Sequence, residues 1–117
     1  MDAAPLKPTI PPDVLECVDI RVGTITAVND VAKSDKLMRL EVDFGAFTRT
    51  VVVGMKQERV NPGAIVGCQA LFVVNLEPRR IMGVRSDAML FDIGHADGLT
   101  PVLAVPERPV PNGARAG

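Results

Sequence analysis

Residues 17–28 read Cys-Val-Asp-Ile-Arg-Val-Gly-Thr-Ile-Thr-Ala-Val. Val18, Ile20 and Val22 alternate with Asp19 and Arg21, which is the period of a strand with one buried face. Gly23 then shifts the phase, so that Ile25 and Ala27 continue the apolar side. A glycine at a phase change inside a strand marks a bulge or a sharp coil. Small barrels use that device to carry one long first strand through two sheets. No other feature narrows the possible folds of this chain as much.

The remaining elements follow from the same period. Leu37–Phe44 sets Met38, Leu40, Val42 and Phe44 against Arg39, Glu41 and Asp43, and Phe47–Val53 forms a second β-branched run after Gly45-Ala46. Gln69–Val74 and Asp87–Ile93 predict two more strands, and Pro101–Val105 a short addition. Gly54–Asn61 is the one segment with helical character, and Pro62-Gly63 limits it to one or two turns. Met1–Pro12 carries prolines at 5, 8, 11 and 12, so it is expected to be extended, neither helix nor central strand. The chain therefore divides into a Pro-rich arm, 1–16, and a packed domain, 17–117, ending in the Pro-rich tail 106–117. The order of elements is that of an all-β, five-stranded Greek-key barrel, the OB-fold, with a short helix between strands three and four and C-terminal extensions. A sandwich or an SH3-like barrel shares much of this pattern.

Between the fourth and fifth strands lies Asn-Leu-Glu-Pro-Arg-Arg-Ile-Met-Gly-Val-Arg-Ser, residues 75–86. Arg79, Arg80 and Arg85 on a connection between core strands are badly placed for packing and well placed to meet an anion; their planar donors suit phosphate. Asn75 offers a donor and an acceptor to a base edge or ribose. Ser86 can meet a phosphate or 2′-hydroxyl, and Met89 can lie under a base or a side chain. Structural roles are also open: Asn75 and Ser86 can serve turn backbone, and Met89 can be core. Met82, beside the arginine pair, is a candidate lining for a polypeptide site, because flexible methionine surfaces adapt to many sequences. The net charge is −1, yet residues 30–85 hold nine Lys/Arg against six Asp/Glu. A local basic face on a near-neutral body fits selective recognition better than coating of a duplex.

Five segments carry a resemblance: Asp19–Ile25, Ser34–Leu37, Leu40–Gly45, Arg49–Gly54 and Asn75–Phe91. Together they resemble the tRNA-binding domain family, whose members are appended to methionyl-tRNA synthetases or stand alone. The ending Pro109–Gly117 is similar to that of the CsaA branch. The resemblance implies an OB-fold with C-terminal additions, a homodimer and tRNA binding, with the Asn of Asn-Leu-x-Pro-Arg and the Ser and Met of Ser-x-x-Met in the tRNA contact. For the CsaA branch it further implies chaperone activity toward unfolded or pre-export polypeptides.

Other chemistries find little support. Cys17 and Cys68 have no partner at metal spacing and are expected as reduced, buried thiols. The single histidine, His95, sits in an expected loop and reads as a surface residue rather than a general base. No nucleophile–base pair, metal site or cofactor motif is evident, so a non-enzymatic binding protein is expected. There is no basic, then apolar, leader and no stretch near the roughly 18 apolar residues that cross a bilayer, which predicts a cytoplasmic protein without membrane insertion. The chain has no Trp or Tyr, and its four Phe read as core. A general single-strand coat, which stacks bases on exposed aromatics, is therefore disfavoured.

Overall fold

The computed structural model describes all 117 residues, Met1–Gly117. Its frame is the long strand β1, Ile20–Asp30. Along Ile20–Thr24, β1 pairs with β4, Gln69–Val73, and from Thr24 onward with β2, Met38–Asp43, both antiparallel. The strand changes partner at the predicted place, and an irregularity in register lies between Ile25 and Ala27. Of the two expectations for Gly23, a bulge or a sharp coil, the register irregularity lies just beyond it and the glycine itself serves the coil. A Cβ there would lie 2.5 Å from Cγ1 of Val42 and 2.7 Å from the Phe44 ring, so only glycine lets the coiled strand pass this close.

β2 continues into β3, Thr48–Val53, and β4 pairs with β7, Met89–Leu90, giving the order β3-β2-β1-β4-β7. The two edges approach each other: the Asp87 amide donates to the Thr50 carbonyl at 2.8 Å. The result is a nearly closed five-stranded antiparallel barrel of the OB type. Ile25, Leu40, Val42, Phe44, Val51 and Phe72 are almost wholly enclosed at its centre. Phe72 meets Phe44 edge to face at 5.4 Å, and Phe47 stacks on Phe44 at 5.1 Å.

Several boundaries differ from expectation for local reasons. The helical piece between β3 and β4 is a 3-10 turn at Pro62–Ile65, beginning where a stop was expected. Proline is well suited to the first helical position, since that N–H is unpaired in any case, and the Asn61 side chain accepts from the Gly63 amide to cap the turn. Pro12 acts likewise, opening a helical turn, α1, Pro12–Glu16, at the end of the segment expected to be extended and within the arm. Residues 1–11 carry no helix or strand. Cys17 is exposed, contrary to the expected burial, and Cys68 is half-buried. The fifth expected strand is divided: Met89–Leu90 stays in the barrel, while β8, Asp92–Ile93, pairs with β9, Val102–Leu103.

The Pro-rich tail is built into the body. Backbone bonds join Val22 to Gly113 and Ala114, and Ile20 to Ala116, occupying the β1 edge that β2 leaves free. The Gln69 side chain donates to the Val110 carbonyl and accepts from the Val110 amide, while Asn112 Oδ1 accepts from Gln69 and Thr24. Gly113 has φ +89, and a Cβ there would meet the Phe44 carbonyl oxygen at 2.5 Å.

Candidate nucleic-acid interface

The basic segment is not the plain turn that Pro78 suggested. Arg79–Ile81 forms β5 and Val84–Ser86 forms β6, a two-stranded hairpin separate from the barrel sheet. Its register pairs Arg79 with Ser86, Arg80 with Arg85 and Ile81 with Val84, leaving Met82-Gly83 as the loop. Both loop residues have positive φ, +53 and +79, which is the type I′ geometry that matches strand twist. Glycine takes that conformation freely. Methionine does so at a cost of about 1 kcal/mol.

Because side chains alternate along a strand, the adjacent arginines face opposite ways. Arg79 shares a face with Ile81 and Ser86 and lines a groove of about 640 Å³. Arg80 and Arg85 share the other face, and Arg85 lines a second cleft of about 440 Å³ with Arg49, Val74, Leu76, Pro78 and Asp87. The Arg79 side chain makes no hydrogen bond or ion pair. Arg80 donates only to the Gly83 carbonyl at 3.3 Å, and Arg85 is paired with Asp87 at 2.6 Å while remaining largely exposed. Two of the three guanidinium groups thus have no carboxylate partner, and the third keeps most of its surface open to solvent.

The expected polar contacts are placed differently. Asn75 Oδ1 accepts from the Asp19 amide and its Nδ2 donates to the Cys17 carbonyl, so this side chain ties the entry of β1 to the exit of β4. Ser86 is buried; its hydroxyl accepts from the Val52 amide and donates to the Ala88 carbonyl, anchoring the hairpin base to β3. The Ser86 hydroxyl is used as both acceptor and donor, whereas Asn75 is exposed, borders a third groove with Cys17, Asp19 and Arg115, and keeps one Nδ2 hydrogen open. Met89 is 43% exposed and lines the large groove, away from the core position that was the alternative for it. Met82 stands at the hairpin tip, 56% exposed and outside both clefts.

The sequence reading passed over several lining residues. Arg59, paired with Glu58, and His95, in the 3-10 turn His95–Asp97, border the large groove with Glu77 and Asp92. Its floor is apolar, from Val52, Ala88 and Leu90. Arg49 lies over the Phe47 ring at 4.4 Å, so the half-buried Phe47 carries a cation on its open face. Arg49 could have been found from its pattern: it shares the inward face of β3 with Val51, and a charge at an inward position near a strand end marks a barrel mouth. At the same end, Arg21 bonds Asp19 at 2.9 and 3.1 Å. That hydrogen-bonded guanidinium holds the Asp19 carboxyl below its ordinary range, outweighing partial desolvation, and Arg115 adds a weaker pull in the same direction.

A family model described as "Putative tRNA binding domain" matches residues 20–115. The methionine–tRNA ligase of Bacteroides fragilis is 38% identical over 112 residues, covering 96% of this chain and 16% of the ligase. The ligase of Methanothrix thermoacetophila is 42% identical over 109 residues, covering 92% of the chain and 15% of the ligase. The chain therefore spans only a small part of those enzymes. Among solved structures, the MetRS related protein from Pyrococcus horikoshii is similar with a TM-score of 0.87 and 32% identity, covering 95% of this chain and 100% of that protein. The chaperone CsaA from Bacillus anthracis is similar with a TM-score of 0.80 and 27% identity, covering 94% and 100%. Barrel, basic hairpin and all but the last two residues of the returning tail fall within residues 20–115, and the chain belongs to the tRNA-binding domain family.

Proposed function

We propose that this chain is a non-enzymatic module that binds tRNA through the β5–β6 hairpin and the two clefts it separates. The observation that carries the reading is the hairpin itself, with arginines on both faces and no carboxylate opposite Arg79 or Arg80. Arg79, Arg80 and Arg85 meet phosphates, with Arg49 extending the basic surface into the smaller cleft. Met89 supplies an apolar contact from the larger groove. Ser86 acts by holding the strands that present these groups, and Asn75 ties β1 to β4 while its exposed amide stays open to RNA.

A second ligand is proposed from the apolar floor of the larger groove. Val52, Ala88, Leu90 and Met89, bordered by charges of both signs, suit an extended polypeptide, and the likeness to CsaA favours chaperone activity toward unfolded or pre-export chains. We further propose a cytoplasmic homodimer, with the arm 1–16 outside the packed domain 17–117. Leu6, Ile10, Val14 and Leu15 are all exposed on the arm and α1, and a second copy would cover them. No helix is long and apolar enough to cross a membrane.

The test is titration of purified protein with tRNA over a range of salt. Affinity should fall steeply with salt, and the triple Arg79→Ala/Arg80→Ala/Arg85→Ala variant should lower the log–log slope by about 2–3, since each lost phosphate contact removes roughly 0.7–0.9. A slope unchanged by the triple substitution excludes the hairpin as the phosphate contact. Suppression of client aggregation, measured in parallel and insensitive to moderate salt, tests the polypeptide reading. The mass in solution tests the dimer.

A further inference from the structure

We propose that Met82, at the hairpin tip, is an insertion element that packs against an unstacked base of the bound RNA, while the arginines behind it hold phosphates on either side. The inference rests on the tRNA-binding reading and assigns a separate role to a residue outside both clefts.

Three features of the hairpin disagree with its own local stability. Met82 occupies a positive-φ position of a two-residue turn, where Asn before Gly is the favoured choice. Arg80 and Arg85 stand directly opposite each other, a like-charge pair that weakens a two-stranded ribbon. The ribbon also has no third strand; Ser86 and Asp87 join its base to β3, and beyond them no hydrogen bond ties it to another element. Local conflicts of this kind gather where a site is shaped for a ligand.

The ligand chemistry follows from what surrounds the tip. An exposed thioether flanked by guanidinium groups on both faces of a thin ribbon combines an apolar, polarisable surface with phosphate donors at short range. Sequence-selective recognition of RNA uses unpaired bases that need such a surface. The protein has no Trp or Tyr to provide it. Phe44 and Phe72 are buried, the open face of Phe47 is taken by Arg49, and Phe91 is half-buried and lines neither cleft. Met89 serves the larger groove on the Arg79 side, and Met82 is the exposed soft side chain at the tip, between the two arginine-bearing faces.

Two variants of the full chain test this with tRNA as the probe. Met82→Asn places the residue preferred by the turn, so melting temperature should stay level or rise. Affinity for tRNA should fall roughly 3–10-fold, the range expected when part of an apolar side chain loses its cover, with the salt slope unchanged because no phosphate contact is lost. Met82→Leu keeps the apolar surface and should bind within about two-fold of wild type. Wild-type affinity in Met82→Asn overturns the proposal, as does an equal loss in Met82→Leu. A loss confined to polypeptide binding also overturns it. Wild-type protein that binds no tRNA overturns the parent reading and this one together, whereas binding lost only in the arginine variants overturns this one alone.

Discussion

The barrel strands and the β5–β6 hairpin are antiparallel ribbons of one chain, built under opposite conditions. In the barrel, each strand has a neighbour that completes its hydrogen bonds, and the enclosed positions carry Ile25, Leu40, Val42, Val51 and Phe72, with the inward Arg49 confined to the mouth over Phe47. Gly23 is placed where a Cβ cannot fit. In the hairpin, three residues a side are paired, like charges face each other and a methionine sits where glycine or asparagine would rest more easily. The barrel is a region where local preference and global fold agree, and the hairpin one where they conflict. The difference separates residues that make the scaffold from those it presents.

Substitutions can break that division. The largest effect is expected from Phe72→Ala, which empties the centre of the barrel beside Phe44 and should cost about 3–5 kcal/mol in denaturant unfolding. Its affinity for tRNA should change only through the folded fraction. Ser86→Ala comes next and probes the junction of the two regions. The buried Val52 amide would lose its acceptor, at about 1–3 kcal/mol. If stability is unchanged while tRNA affinity collapses, Ser86 belongs with the presented residues instead of the scaffold.

Arg80→Glu should act with the opposite sign on the two properties. It replaces a like-charge cross-strand pair by an attractive one, worth about 0.2–1 kcal/mol to the hairpin, readable as slower amide exchange at Ile81 and Val84. The same change should weaken tRNA binding and its salt dependence. Slower exchange without weaker binding would place the phosphate contact elsewhere.

The same division explains what could be read before the structure was known. The barrel strands were legible to within a few residues because a half-buried strand writes its period directly into Met38–Phe44 and Val18–Val22. Pro12 and Pro62 misled because proline both ends helices and opens them, and the sequence does not say which side of the residue is helical. The segment 79–81 read as a turn because Pro78 and charge outweigh three residues of strand, and Met82-Gly83 lacks the asparagine that usually marks such a hairpin. The roles of Asn75 and Ser86 were hidden for a different reason. Their partners, Asp19 and Val52, are 56 and 34 residues away, so the bonds exist only once the barrel has closed.

The smallest effect is expected at Asp19, which joins the scaffold to a charged mouth. Its carboxyl is held below its ordinary range by the bonded Arg21 guanidinium. The folded state therefore favours the ionised form, and the stability this contributes is fully present above the unfolded carboxylate value of about 3.9 and is lost as pH falls through the lower folded value. Asp19→Asn keeps the shape and removes the charge, so its melting temperature should lie slightly below wild type at neutral pH. The gap should close in acid, where the wild-type carboxyl is protonated too. Both members of the pair are partly exposed, so the gap should also narrow in high salt. Affinity for tRNA should move little, because Arg21 stays on the barrel end and the hairpin arginines are untouched. A large loss of RNA binding in Asp19→Asn would instead mean that Arg21, once released, leaves a position the ligand uses, extending the presented surface from the hairpin onto the start of β1.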